Sequence, residues 1–397
     1  MTVTDEQFGE RIRIARERFH LTQGELGEFV DLSTDDIDAI ERGERSPATN
    51  ALLKIAYAVG RNPSEFFDND FVDGGALSAL FRTISAPTDL RQLRRALQEG
   101  IAYALQFSSL ERMVGIDRAT SLVDALDLPA PRTRDDAFEQ GESIAAQERQ
   151  RLRLGSGRLD RLQHLLETQG VGTMAAPLPD GIAGLMLCDP RIGAFVLFNA
   201  EQPTARRRLS LAHEYGHVLM DRHRLGLLSH NRQYEDLVEL RADAFAAAFL
   251  MPKEGVQRSL GRAAGHDQAK EMAEGHATPG TPSIRMLQLA AVAQAFDVSR
   301  RSALRRINDL GLVSADDHDA LREQDARGEG QPFSDLLGLF NHPAADSRSE
   351  SRGRLMGLAC EAYRLEKISR GKLNEIGRLV GVDRDAITRS VEFFGME

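Results

Sequence analysis

The chain has 397 residues, 28 % of them charged and 42 % hydrophobic, with a formal net charge of −10 at pH 7. That length exceeds one ordinary domain and fits two or three, and the acidic balance excludes a protein that coats nucleic acid, though not one basic surface. No run of eighteen apolar residues occurs and the N-terminus is charged rather than signal-like, so the expectation is a soluble, cytoplasmic protein with no membrane partner.

Phe8 to Arg16 reads as a first helix, and Leu21-Thr22-Gln23-Gly24-Glu25 opens a second with Thr22 as its N-cap. A turn at Val30-Asp31-Leu32 leads to a third helix from Ser33, closed by Gly43. Ser46-Pro47 opens a fourth, with Leu52, Ile55, Ala56 and Val59 on its core face. Over about residues 7–67 this is similar to the Xre/Cro-type helix-turn-helix, with Thr22-Gln23 and Ile40-Glu41-Arg42-Gly43 as the specific part. The resemblance implies that the third helix enters the major groove and that Gln23, Thr34 and Arg42 contact DNA.

Charge disagrees with that implication. Residues 1–67 hold eight Lys or Arg against thirteen Asp or Glu, and the third helix carries Asp35, Asp36 and Asp38. DNA affinity comes mostly from neutralising phosphates. Carboxylates can read cytosine amines, but only with cations nearby, here Arg11, Arg13, Arg16, Arg18, Arg42 and Arg45. Weak or partner-dependent DNA binding and a purely protein-binding module both stay open.

Phe71-Val72-Asp73-Gly74-Gly75 breaks the chain, and helical periodicity resumes through Leu90, Leu93, Leu97, Ile101 and Leu105. A second boundary falls at Pro129-Ala130-Pro131, followed by one helix expected from Gln140 to Glu167. Gly170–Met174, Ile182–Cys188 and Gly193–Asn199 read as three strands that floor a cleft. An edge strand there is suited to hold an extended substrate by backbone pairing. The two cysteines, Cys188 and Cys360, are far apart in sequence, which excludes a disulfide framework or a thiolate zinc site; Cys188 is expected as a buried structural thiol.

Leu209 to Met220 then contains His213-Glu214-x-x-His217 inside an apolar helical pattern. Residues i and i+4 share a helix face, so both imidazoles can grip one ion, and Glu214 projects beside it to take a proton from water. Such a site needs a third protein ligand. A second amphipathic helix follows, with Glu239 on it 22 residues beyond His217 and Asp243 one turn further on. Glu239 ranks first as third ligand, with Glu235 and Asp236 as rivals; Asp243 is placed to accept the other ring N–H of a ligand histidine. Histidine and carboxylate donors suit Zn2+ best, and Mn2+ can occupy the same set. Tyr234, His223 and His230 are equal candidates to stabilise an oxyanion.

From Arg207 to His217, then Glu239 to Ala246, then Phe249-Leu250-Met251-Pro252, the chain resembles the ImmA/IrrE family of regulatory metallopeptidases. The resemblance runs from about Ala145 to the C-terminus. It implies a zincin-like fold and a soluble protease that cleaves a helix-turn-helix repressor, switching on stress or mobile-element genes. One departure is Arg241, where the family often has another acid; it alters the surroundings of the ligands more than the ligand set.

Leu287 to Phe296 and Ser299 to Ile307 form a second helix-turn-helix-like element, with Arg300, Arg301, Arg305 and Arg306 on its second helix. Those arginines suit DNA phosphates or an acidic face of the substrate, or they belong to a structural hairpin. Residues from about Gly328 to Ser351 read as mobile, and Leu355 to Phe394 as helical again. The fold class expected is mainly α with a small β-sheet (α+β). The expected parts are a helix-turn-helix domain at 1–70, a helical connector at 71–135, a zincin-like core at 136–265 and a C-terminal helical region at 266–397, its helix-turn-helix-like element near 284–313. The expected activity is metal-dependent repressor cleavage, with a repressor protein and DNA as partners and a homodimer left open. The alternative is a DNA-binding regulator whose peptidase-like domain is structural, or senses a ligand or phage component.

Overall fold

A computed structural model of the chain describes residues 3–18, 21–59, 66–67, 90–116, 126, 128–189, 192–222, 226–230, 236–262, 286–336, 347–383, 385 and 387–389. Among the described residues of the N-terminal unit are four helices: α1 (Asp5–Arg18), α2 (Gln23–Val30), α3 (Thr34–Glu41) and α4 (Thr49–Ala58). Capping boxes start α2 and α3: Thr22 and Ser33 accept from the amides of Glu25 and Asp36, whose carboxylates accept in return from the Thr22 and Ser33 amides. Ile12, Leu26, Ile37, Ile40 and Ile55 fill the centre. Beside them, buried Arg16 donates to Glu41 at 2.5 and 2.9 Å and to the Leu21 carbonyl at 2.7 Å. Gly43 sits at φ +72°, where a Cβ would lie 2.7 Å from the backbone of Glu6, so glycine alone lets the chain turn there.

Beyond this unit come α5 (Leu90–Met113), α6 (Arg134–Arg151) and α7 (Leu162–Thr168). The single helix expected over 140–167 is therefore two. Arg153, Gly155 and Arg161 take positive φ between them, and buried Arg149 donates to the carbonyls of Gly155 and Gly157 at 2.9 and 2.6 Å, fixing the break.

The strands β1 (Gly172–Ala176), β2 (Ile182–Asp189) and β3 (Gly193–Asn199) precede α8 (Thr204–Met220), and β4 (Gly226–His230) follows it. The sheet order is β1-β3-β2-β4, parallel between β1 and β3 and antiparallel elsewhere. Three of these strands are legible from alternation; β4 is too short and too weakly patterned to be read that way. Strand periodicity divides the side chains: Leu185, Leu187, Phe195 and Leu197 join one core cluster, while Met186, Cys188, Val196 and Phe198 join another.

Among the described residues the further helices are α9 (Leu237–Leu250), α10 (Met286–Phe296), α11 (Arg300–Asp309), α12 (Ala315–Ala326), α13 (Gln331–Leu336), α14 (Ser347–Arg364) and α15 (Arg370–Leu379). The segment expected to be mobile thus contains α13 and the start of α14; residues 337–346 lie outside the described residues. The first sheet face packs against α5, where Gly100 takes the place a larger side chain would need against Leu197. The second packs against α8, with α9 and α6 behind it. Gly141 on α6 permits that layering: a Cβ there would be 2.5 Å from the Arg241 carbonyl and 2.7 Å from the Phe245 amide.

One sheet edge is closed. Arg354 of α14 donates to the Thr173 carbonyl at 3.1 Å and Ala175 N–H donates to Ser351 Oγ at 3.4 Å, so side chains occupy backbone groups of β1. Strand β4 forms the opposite edge. Among the described residues no helix is long and apolar enough to cross a membrane.

Candidate metal centre

Helix α8 is buried on nearly every side from Ser210 to Met220, because the sheet lies along one flank and α9 along another. Apolar residues provide that burial, and His213, Glu214 and His217 are carried into the interior with them. Helix α9 begins at the N-cap Asp236, whose carboxylate accepts from Val238 N–H at 2.8 Å. That capping role occupies one of the two rival ligands; Glu235 lies outside the described residues. The first turn of α9 then delivers Glu239 to the histidines.

Three donor groups converge. His213 Nε2 and His217 Nε2 are 3.1 Å apart, and Glu239 faces them with Oε2 3.3 Å from the first and Oε1 3.4 Å from the second. One ligand atom from each lies within 4.8 Å of the others. Each imidazole is backed by a carboxylate on its far nitrogen: Asp243 Oδ1 at 3.0 Å from His213 Nδ1, and Asp221 Oδ2 at 2.9 Å from His217 Nδ1. A carboxylate there requires an N–H at Nδ1, which turns the Nε2 lone pairs toward each other and toward Glu239. Two nitrogen lone pairs and a carboxylate at this spacing repel unless a proton or a cation lies among them. Two imidazoles and a carboxylate with their outer nitrogens anchored are a donor set that fits zinc.

Titration behaviour has the same origin. Burial alone would depress His213, but hydrogen bonds to Asp243 and Glu239 outweigh it and hold the imidazole well above its usual value. Burial is likewise outweighed at His217, by Asp221 and Glu239. Glu239 shows the mirror image: burial would raise it, yet the two histidines hold it far below the ordinary carboxylate range.

Glu214 is fully buried and close enough to His213 to raise its pKa. Its carboxylate passes against β2 at Gly184, where a Cβ would lie 2.9 Å from Oε1 and 3.0 Å from Cγ. Tyr215 points the other way, donating its hydroxyl to Glu148 on α6.

Sequence reasoning foresees Asp243 but misses Asp221, although it lies four residues after His217 on the same helix face. It also leaves Arg241 without a role. In the structure Arg241 Nη2 donates to Asp221 Oδ1 at 2.6 Å and Nη1 to Gln140 at 2.9 Å. The departure from the family's acid thus supplies the cation that balances Asp221. Two of the proposed oxyanion donors, His223 and Tyr234, lie outside the described residues, as does the side chain of His230.

The expected DNA contacts are not assembled in the same way. Gln23 donates to Asp38 at 3.0 Å and Glu41 at 2.9 Å, and Arg42 pairs with Asp38 and Glu44 at 3.0 and 2.9 Å. Thr34 stands exposed at the start of α3, and Arg42 is exposed as well despite its ion pairs. On α11, Arg300 is engaged by Asp325 at 2.5 Å and by Ser334, and Arg306 is buried against Glu142 and the Met251 carbonyl. Arg305 pairs with Asp243 at 3.5 Å. Arg300 and Arg306 are therefore internal braces, because their guanidiniums meet partners in their own chain, whereas Arg301 and Arg305 are exposed.

Comparison with known proteins agrees with this division. Residues 166–308 match the model of the IrrE N-terminal-like domain, a peptidase family, and residues 7–66 match a helix-turn-helix domain. The chain therefore carries a helix-turn-helix domain and a metallopeptidase-like domain similar to the IrrE N-terminal-like family, a combination that fits a regulatory protein. No curated protein matches it. The crystal structure of ComR from Streptococcus suis aligns over 96 % of this chain and 97 % of that one at 15 % identity, but its TM-score of 0.17 supports no argument.

Proposed function

We propose that the protein is a cytoplasmic, metal-dependent endopeptidase that cleaves a helix-turn-helix repressor and thereby derepresses stress or mobile-element genes. The observation that carries this reading is the convergence of His213, His217 and Glu239, each His backed by its own Asp, with Glu214 adjacent and buried. When bound, a Zn2+ ion would supply Lewis acidity to a peptide carbonyl and lower the pKa of water. Glu214 accepts the proton of the attacking water and passes it to the leaving nitrogen, in a pocket where burial strengthens its interactions. Asp221 and Asp243 keep Nδ1 of each histidine protonated, so both Nε2 atoms stay available as ligands. With the β1 edge occupied by α14, the β4 edge is the one suited to an extended substrate.

In this reading residues 1–70 are the helix-turn-helix domain, 71–135 a connector, 136–265 the peptidase core and 266–397 the C-terminal helical region. The N-terminal unit localises or restrains the peptidase. A second reading, in which DNA binding is the main work, draws on the helix-turn-helix match at 7–66. The experiment is incubation of zinc-loaded full-length protein with helix-turn-helix proteins encoded beside its gene. Cleavage by the wild type, lost by a factor of about 10² or more in Glu214→Gln with metal retained, is expected. Full activity in that variant, or metal binding with no cleavage of any repressor, would remove the proposal.

A further inference from the structure

The two histidines are supported by parallel chains of charge that end differently. His217 is backed by Asp221 and then Arg241, all three buried. His213 is backed by Asp243 and then Arg305, and this second chain reaches the surface. In both, one carboxylate oxygen meets the imidazole and the other meets a guanidinium. Asp221 is held by its burial. The Asp243 side chain is 35 % exposed, so it needs a partner to keep it from turning to water.

That partner comes from outside the two metal helices. Arg305 sits on α11, with Nη1 3.5 Å from Asp243 Oδ2 and Nε 3.9 Å from Asp309 of its own helix. Its neighbour Arg306 anchors α11 in place: it is 1 % exposed, donates to the Met251 carbonyl just past α9 at 2.9 Å and pairs with Glu142 of α6. One arginine fixes the helix and the next reaches the carboxylate behind His213. Building on the metal-centre reading, we propose that Arg305 is a positioning residue of that centre, holding Asp243 on His213, so that the α10–α11 hairpin is part of the metal site rather than a DNA-reading element.

Two effects of Arg305 on a bound cation oppose each other. Its positive charge repels the ion through space, but half of the side chain is in solvent, which screens that interaction. Its hold on Asp243 acts through a direct partner of a ligand, and loss of such a partner commonly costs about 10- to 100-fold in metal affinity. The positioning effect wins.

The test uses the full-length protein and measures Zn2+ affinity by competition with a chromogenic chelator, together with the visible absorption of the Co2+ form. Arg305→Met should weaken zinc by about three- to tenfold, a fraction of the loss of the carboxylate itself, and should alter the Co2+ band. Arg305→Lys should recover part of the affinity, and Arg301→Met, an exposed change on the same helix, none should be lost. In an Asp243→Asn background the Arg305→Met change should add nothing, because its action runs through that carboxylate. Wild-type or tighter zinc binding by Arg305→Met, or the same loss in the Asp243→Asn background, would overturn this assignment alone. A wild-type chain that binds no divalent cation would overturn the metal-centre reading and this one with it.

Discussion

Replacing Gly184 by alanine probes how closely the sheet holds the carboxylate of Glu214. The added Cβ would stand 2.9 Å from Glu214 Oε1, 3.0 Å from its Cγ and 2.9 Å from the Leu197 carbonyl. Ordinary contact needs about 3.5 Å, so something must retreat by roughly half an ångström. The Leu197 carbonyl belongs to β3, which pairs directly with β2, and cannot give without spreading the sheet. Glu214 is the softer neighbour and moves. Misplacement of a reacting group by about 1 Å costs on the order of 10²-fold, which sets a loss of about tenfold for half that distance. Overpacking adds about 1–3 kcal/mol of destabilisation. The candidate ligands come from α8 and α9 and none of them meets the added Cβ, so zinc affinity should stay close to wild type. The assays are repressor cleavage under single-turnover conditions, zinc competition and thermal unfolding. Cleavage and melting both equal to wild type would refute the reasoning.

Other expectations follow from the same packing and charge. Gly141→Ala on α6 meets backbone of α9 at 2.5 Å and should lose stability by about 1–3 kcal/mol in denaturant unfolding despite a gain in helix propensity. By contrast Gly353→Ala on α14, where a Cβ meets nothing within 4 Å, should gain about 0.5–1 kcal/mol. In chelator-treated protein, His213 and His217 bind their protons more tightly folded than unfolded. Their contribution is complete below pH 6.5, their ordinary value, and is lost as pH rises through the raised folded values. Melting temperature without metal should therefore fall as pH rises above about 6.5, and saturating zinc should reverse the fall; a metal-free melting temperature that rises over this range would contradict it.

The cluster of His213, His217 and Glu239 is legible because its information is local. Two histidines four apart in an apolar helix, and a Glu-x-x-x-Asp on the next helix, single out Glu239 and Asp243 from sequence spacing. Asp221 carried the same local signal, four residues past His217, yet an acid at a helix end reads equally well as solvated. The arginines of α11 show why charge alone misleads. A cationic helix face looks the same in sequence whether it meets phosphates or carboxylates of its own chain, and the meeting of Arg305 with Asp243 joins residues 62 apart. Strand β4 was missed because it is completed by pairing with β2, a contact no periodicity over five residues announces. The break between α6 and α7 depends on Arg149 reaching three carbonyls, those of Gly155, Gly157 and Phe249, which is likewise non-local.

The most direct measurement is an anomalous difference map at the zinc edge from crystals of the full chain grown with stoichiometric zinc. A single strong peak bounded by His213 Nε2, His217 Nε2 and a Glu239 oxygen is the predicted result, and it should vanish in Glu239→Ala. Zinc bound elsewhere, or a Glu239 side chain turned away from a fully occupied ion, would contradict the account.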